Sequence, residues 1–508
     1  MTFFESLLVL LLAAIVLLQV ARRFSLPYPA MLAAGGMLVA LVPGSPTIRI
    51  EPEMALALFI APPLMDAAFD FPVGSARKFW RPLIMLAGLA VLATTAVVAW
   101  LGWRYAGMPV AAAIALGAIV APPDAAAAVA VLRTVAVPTN TAAILKGESL
   151  FNDATALLLY GGAVAAVQHG GLTHGVEVRL LIAAPGGIVL GIALATIMRR
   201  LNRFVTGTLG GNLMQFVMTW LAWTIAARLG LSSVLCLVAF GMWLARSSPI
   251  GLSPRMRVHS YAVWATVVFL LNVIGFLVIG MQVRTIVEGM QTTSLAHALL
   301  FAGIVVVAVI GVRFVVVLAY ISTTRSYERR HNRPVATLQQ GVLVGWNGMR
   351  GLVTLATAFA LPQSFPHRDL IVLTAFCVVI TTTVLQGATL RPLIRLLRLD
   401  RSGDSARILE QARNHLLGKA LESLDRESDV EAEVLKGYYR VRVEEAQTGA
   451  MARHRAIGLA VLTVQREELA KLLQEHRIDP DAFDVLQEEL DWRALDLLPP
   501  NERRIEEG

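Results

Sequence analysis

The sequence predicts an all-α polytopic membrane protein. About thirteen transmembrane helices form two inverted repeats with interrupted helices, and a cytoplasmic helical tail follows. Three observations carry this reading. The 508 residues are 56% hydrophobic and only 16% charged, with a mean hydropathy of +0.64, whereas soluble chains carry about a quarter charged residues. Apolar runs suited to a hydrocarbon core of about 30 Å recur along the chain. The loops between them alternate in positive charge.

The charge is divided along the chain. Residues 1–400 hold 13 of the 36 acids and 28 of the 44 bases, and the last 108 residues hold the other 23 and 16. The first part is net +15 and the tail net −7. A single soluble domain, a disordered chain and a nucleic-acid binder are excluded, because the basic excess is spread over short loops between apolar runs. Cys236 and Cys377 both lie in apolar runs, so neither a disulfide framework nor a zinc site is indicated.

Pro, Gly and charge clusters bound the runs at 3–20, 29–43, 53–71, 82–103, 109–132, 141–168, 178–198, 211–229, 231–245, 260–281, 295–320, 335–361 and 369–390. Alternate loops carry 20 basic residues against 6. The rich set includes Arg22/Arg23, Arg77/Lys78/Arg81, Arg133, Arg199/Arg200/Arg203 and Arg325/Arg329/Arg330/Arg333; the poor set is Arg49, Arg104, Arg179, Arg228, Arg284 and Arg368. By the positive-inside rule the N-terminus is outside and the C-terminus cytoplasmic. The first run has no basic n-region and is followed by Arg22 and Arg23, which reads as a retained helix rather than a signal peptide. Trp80, Trp100, Trp103, Trp220, Trp223 and Trp243 mostly fall near run ends, where interfacial anchoring is expected. Gly161-Gly162 and Gly186-Gly187 suit close helix packing. After Leu399 the sequence turns to mixed-charge helical stretches, such as 405–425 and 463–475, which argues against a polybasic lipid-binding segment.

Five acids of the first part fall inside apolar runs: Asp66 and Asp70 in the third, Asp124 in the fifth, and Glu148 and Asp153 in the sixth, with Asp70 close to an end. An ionised side chain at mid-membrane costs at least about 2.5–3.5 kcal/mol, so such residues line a pathway or pair with one another. The bases at similar depth are Arg313 and Arg350, which leaves carboxylates able to trade a proton for a cation.

The backbone is interrupted in the same region. Ala121-Pro122-Pro123-Asp124 removes two N–H donors from the fifth run. Gly345-Trp346-Asn347-Gly348-Met349-Arg350-Gly351 places three glycines in seven residues of the twelfth. Irregular backbone at membrane depth survives only where protein or a water-filled cavity encloses it. Two interrupted spans at matching positions of two halves point to an inverted-repeat transporter, with runs 1–6 and 8–13 of opposite topology. In the sixth run, Glu148 and Asn152 are four apart, as are Ser149 and Asp153, so all four share a broad helix face. Their oxygens are hard ligands suited to a small alkali cation. Asp153 must lose its proton to bind one, so proton and cation compete for it.

Gly147-Glu148-Ser149-Leu150-Phe151-Asn152-Asp153 matches the G-E-S-L-F/L-N-D signature of the cation/proton antiporter-1 family, the bacterial sodium/proton antiporters related to animal sodium/hydrogen exchangers. Pro62-Pro63-Leu64-Met65-Asp66-Ala67 and Gly348-Met349-Arg350-Gly351 resemble two further segments of that family. The resemblance covers residues 1–400 and implies an antiporter rather than an enzyme, with no cofactor. It implies that Asp153 is the proton/cation carboxylate holding Na+ (or K+), with Ser149 and Asp66 near the ion and Asn152 bridging the crossed, unwound helices; in the transporter reading of the broken fifth run, Asp124 joins them near the positive end of a half-helix. Pro122, Gly345, Asn347, Gly348 and Gly351 would shape those helices. Glu148 would pair with a membrane-embedded arginine, Arg313 first and Arg350 second.

Further implications are one-for-one electroneutral exchange of Na+ (or Li+) for H+ and a homodimer in the lipid of a bacterial inner membrane. Runs 1–3 and 8–10 would be the dimer scaffold and runs 4–6 and 11–13 a moving core, with residues 401–508 as a cytoplasmic tail serving folding or regulation. One position departs from the pattern. The family's fifth-span break reads Thr-Asp-Pro, and here Pro123-Asp124-Ala125 keeps the aspartate, loses the hydroxyl and offers only the Pro123 carbonyl. A looser site selecting K+, or K+ and Na+ alike, is the alternative. A channel is remote, since no filter sequence repeats. Neither H-E-x-x-H nor G-x-S-x-G occurs, which argues against a membrane hydrolase.

Overall fold

The computed structural model describes residues 3–24, 27–41, 51–124, 139–171, 174–205, 208–251, 254–289, 292–330, 337–399, 402–425, 427, 429–448, 451–475 and 477–498. Within them the regular structure is all helix, joined by short non-helical stretches, in two compact units, 1–400 and 401–508. Arg49, Arg133 and Arg333, and the second half of the fifth run (125–132), lie outside the described residues.

The first unit begins with α1 (Phe3–Phe24), α2 (Tyr28–Leu41) and α3 (Pro52–Phe69). Pro52 takes the first turn of α3, where its missing N–H costs nothing. Short α4 (Val73–Lys78) and α5 (Trp80–Ile84) lead through a π-turn (Met85–Leu89) into α6 (Ala90–Ala106). That helix stops at Gly107, whose φ of 62° suits glycine. Next come α7 (Val110–Val120), α8 (Thr139–Gln168), α9 (His174–Val205), α10 (Leu209–Arg228), α11 (Ser233–Gly251), α12 (Pro254–Gly289) and α13 (Thr292–Arg330). The unit closes with α14 (Leu338–Trp346), α15 (Leu352–Phe359) and α16 (Arg368–Leu396).

Six described helical stretches are long and apolar enough to cross a membrane: Trp80–Ala106, Thr141–Gln168, Leu181–Asn202, Arg257–Gln282, Leu295–Arg325 and Arg368–Leu396. Four shorter apolar helices accompany them, Tyr28–Ala40, Met54–Phe69, Val110–Val120 and Ser233–Arg246. The run 335–361 is divided into α14 and α15, and the run 109–132 leaves its helix after Val120.

Small residues let helix backbones approach where lipid removes the hydrophobic drive for association. α2 and α12 show this reciprocally: a side chain on Gly36 would strike the Leu277 carbonyl, and one on Gly280 the Ala33 carbonyl. α9 lies on α11 through Gly187, 2.6 Å from the Ser232 carbonyl at its Cβ position, and through Gly191, which sits over Cys236. Gly161 shows no such contact: among the described residues, nothing outside its own helix backbone lies within 4 Å of its Cβ position, while its neighbour Gly162 is buried. The tryptophans also divide. Trp80, Trp100 and Trp103 are exposed on the apolar surface, but Trp223 is buried and Trp220 donates its indole N–H to the Ala57 carbonyl. Those two hold α10 to its neighbours instead of anchoring at an interface.

The second unit comprises α17 (Ser402–Leu424), α18 (Val430–Thr448), α19 (Met451–Gln474) and α20 (Pro480–Leu497). Leu462, Leu469, Leu490 and Ala494 form a small core between α19 and α20. The Asp479 side chain caps α20 by accepting from the Ala482 amide at 2.7 Å.

Candidate functional site: two broken helices closed on each other

The two interruptions meet. At the first, Pro122 and Pro123 cannot continue the hydrogen-bond ladder of α7, so the chain leaves the helix and runs to Asp124, with Ala121, Pro122 and Pro123 buried. At the second, α14 starts with a capping box between Thr337 and Gln340 and ends at Asn347. Residues 347–351 are non-helical and buried before α15 begins. The Asp124 amide donates to the Met349 carbonyl at 2.7 Å, and the Arg350 guanidinium donates to the Ala121 carbonyl. The Leu352 amide, at the start of α15, donates to the Asp124 carboxylate at 3.3 Å. Backbone groups that each helix loses at its break are thus taken up by the other, as burial demands.

α8 crosses beside this junction and brings four oxygen-bearing side chains to it. Glu148, Ser149, Asn152 and Asp153 are 1%, 9%, 0% and 7% exposed. The Asn152 side-chain N–H donates to the Pro123 carbonyl at 3.0 Å, which engages the carbonyl left by the departure from Thr-Asp-Pro. Its own Oδ1 is buried without a hydrogen-bond partner among the described residues. Glu148 is held by Arg313 in a two-pronged ion pair at 2.5 and 2.9 Å. Arg313 also donates to the Val344 and Asn347 carbonyls at 3.1 and 3.3 Å. One guanidinium therefore joins α8, α13 and the end of α14, and it leaves Arg350 to the first break. Buried charges of this kind persist only when paired and hydrogen-bonded.

Asp153 lies within electrostatic reach of Asp124 and Arg350, and Arg350 within reach of Glu148 and Arg313. Asp66 is half-buried on α3, which packs against α8 and α15. Asp70 ends α3 as its exposed C-cap and takes no place at depth. Gly345 and Gly348 admit the Phe314 ring and the Arg313 side chain, respectively. At Gly351 any Cβ would collide with the Asp124 carboxylate. A crevice lined by Thr94, Pro123, Arg313 and Arg350 has no room for a water molecule.

α16 supplies partners that the motif reading does not single out. The Arg350 amide donates to Thr382 Oγ1 at 3.1 Å, and Thr383 Oγ1 donates to the Arg350 carbonyl at 2.8 Å. Gln386, one turn on, is 1% exposed. The signal for all three was available: Thr381-Thr382-Thr383 and Gln386 are polar residues in the middle of an apolar run.

Comparison with known proteins gives the same setting. A family profile described as "Sodium/hydrogen exchanger, transmembrane" matches residues 8–396. An uncharacterised Na+/H+ exchanger of Mycobacterium tuberculosis is 27% identical, over 97% of this chain and 96% of its own length. A sodium, potassium, lithium and rubidium/H+ antiporter of Bacillus pumilus is 27% identical, over 99% of this chain and 79% of its own. Among solved structures, a sodium proton antiporter of Methanocaldococcus jannaschii shares the fold, with a TM-score of 0.57 at 16% identity over 78% of this chain and 100% of that one.

Proposed function

Because this chain belongs to the transmembrane sodium/hydrogen exchanger family, we propose that it exchanges Na+ (or Li+) for H+, one for one, by alternating access with Asp153 as the shared carboxylate. One observation carries the stoichiometry. The buried junction holds three carboxylates, Glu148, Asp153 and Asp124, and two guanidinium groups, Arg313 and Arg350. Glu148 is neutralised by Arg313 whatever the ion load. With all groups ionised the cluster is one negative charge in excess, and either one proton or one monovalent cation removes it. Both loaded forms are neutral, and the empty form is the one least able to cross a low-dielectric barrier.

In this reading Asp153 takes proton or cation, and Ser149, the Asn152 Oδ1 and Asp124 supply further hard oxygens. Asp66, half-buried on α3, stands outside this charge cluster and flanks the ion's route. Glu148 and Arg313 hold α8 against the second break, so the ligands move with both helices. Helices α6–α8 and α13–α16 would form the moving core, and α1–α3 with α10–α12 the scaffold of a homodimer. The setting is a bacterial inner membrane with the N-terminus outside and the tail cytoplasmic, where a regulatory role suits it.

Mixed monovalent exchange is the second reading. The B. pumilus relative carries sodium, potassium, lithium and rubidium in its name, and Pro123 supplies no hydroxyl where the family pattern has threonine. Both readings are tested with pure protein in liposomes, by proton flux on adding Na+, Li+ or K+ with the membrane potential free or clamped. Na+- and Li+-driven flux indifferent to the clamp is expected. Flux that follows the imposed potential would overturn the one-for-one stoichiometry, and equal flux with K+ would establish the second reading.

A further inference from the structure

Gln386 stands on α16 between residues that all touch the second break. Thr382 and Thr383 bond the Arg350 backbone, the Trp346 indole donates to Thr389 at 2.9 Å, and Leu390 packs with Leu343 and Met349. These positions lie three or four apart, so Gln386 shares their face. It is 1% exposed, yet neither its Oε1 nor its Nε2 has a hydrogen-bond partner among the described residues. A leucine would fill the same space without two orphaned polar atoms, so this packing alone gives no reason for an amide.

Its neighbour locates the position in the molecule. Gly387 lies against the Pro27 ring, which a Cβ there would strike, and its Cβ position is 3.5 Å from Met349 Sδ. Pro27 leads into α2, and α2 is locked to α12 through Gly36 and Gly280. Gln386 therefore faces the second break one residue from the point where α16 meets the lead-in to α2, a point shut by the Pro27–Gly387 contact.

We propose that Gln386 lines a path for water and cation between Asp153 and one membrane face. The path is closed here by Pro27 against Gly387, and it opens when α16 slides from α2. The amide then meets the partner its two atoms lack, water or the hydration shell of the cation. Gln386 is thus a positioning residue for ion passage. The inference rests on the antiporter reading and adds to it the side of the core through which the site is hydrated.

Two variants of the full-length protein in liposomes test it. Gln386→Leu is expected to keep its thermal stability while the maximal exchange rate falls about tenfold, with half-saturating Na+ changed by less than about twofold. Gln386→Asn, which keeps an amide, should restore much of the rate. In a background with Cys236→Ala and Cys377→Ala, Gln386→Cys should react with a membrane-impermeant thiosulfonate from one face only, and faster under a Na+ gradient. Wild-type exchange in Gln386→Leu would overturn the proposal, as would a Gln386→Cys protein that exchanges but never labels. If Gln386→Leu fails to fold, labelling decides alone. If the wild type itself exchanges no cation, the antiporter reading fails, and labelling still reports whether the seam opens.

Discussion

The Asp124 amide donates to the Met349 carbonyl at 2.7 Å, so the first broken helix is closed by the second. The same residue caps α15 with its carboxylate, through the Leu352 amide, where the helix dipole favours a negative charge. Asp124 is therefore fixed by backbone and side chain at once, and its charge stands at a set place relative to Asp153.

Gly351→Ala tests that placement. A methyl there collides with the Asp124 carboxylate, and the Asp124 Cγ and Cβ also lie within 3 Å of its position. We expect a stability loss of about 1–3 kcal/mol, the usual scale for overpacking, together with loss of cation-driven proton flux. Thermal unfolding in detergent alongside the liposome assay reads both, and an unchanged melting temperature with full exchange would show that Asp124 is free to move.

Asp153→Asn should abolish exchange while the protein stays folded. The amide fills the same volume and removes the one carboxylate in excess over the two guanidinium groups, so nothing is left to demand a proton or a cation. Size-exclusion profile and melting temperature should match the parent. Residual Na+-driven flux would move the role to Asp124 or Asp66.

The Glu148–Arg313 pair is expected to show strong non-additivity. Each partner is under 5% exposed, at 2% and 4% of side-chain surface. Truncating one leaves a buried charge alone, at a cost of about 3–5 kcal/mol, whereas replacing both by apolar residues of similar size is often close to neutral. Glu148→Met and Arg313→Met should each destabilise, and the double variant should recover most of the loss. A double variant whose loss equals the two single losses added together would mean that the pair acts through Val344 and Asn347 rather than through charge.

The sequence makes some of this legible and hides the rest for physical reasons. Pro122-Pro123 and the glycines at 345, 348 and 351 announce broken helices because proline and glycine act on their own backbone. The spacing of Glu148, Ser149, Asn152 and Asp153 is equally local. The Asp124–Met349 bond and the hold of Thr382 and Thr383 on Arg350 join distant segments, and no spacing in the chain records them. Lipid-facing and protein-facing apolar residues also look alike in sequence. For this reason Trp220 and Trp223 read as interfacial anchors and are instead buried or half-buried, and Gly161-Gly162 reads like Gly186-Gly187 although, among the described residues, no neighbouring helix lies within 4 Å of the Gly161 Cβ position.

Replacing Pro122 and Pro123 by alanine would return two N–H donors to the chain at the end of α7. Alanine is favoured over proline in a helix by about 3 kcal/mol per residue, so α7 gains a strong incentive to continue past Val120. Continuing it draws the carbonyls of residues 121 and 123 into the helical ladder, away from Arg350 and Asn152, and carries the Asp124 amide off Met349. The expected product is a protein whose helix content and melting temperature are at least those of the parent, with exchange reduced by an order of magnitude or more, because the junction that sets Asp153 against Asp124 and Arg350 is lost. Circular dichroism, thermal unfolding and liposome flux on the same preparation separate the outcomes. Full exchange in the double variant would mean that the contacts made by Asp124, Asn152 and Arg350 hold the break open by themselves, and that the prolines only ease its formation.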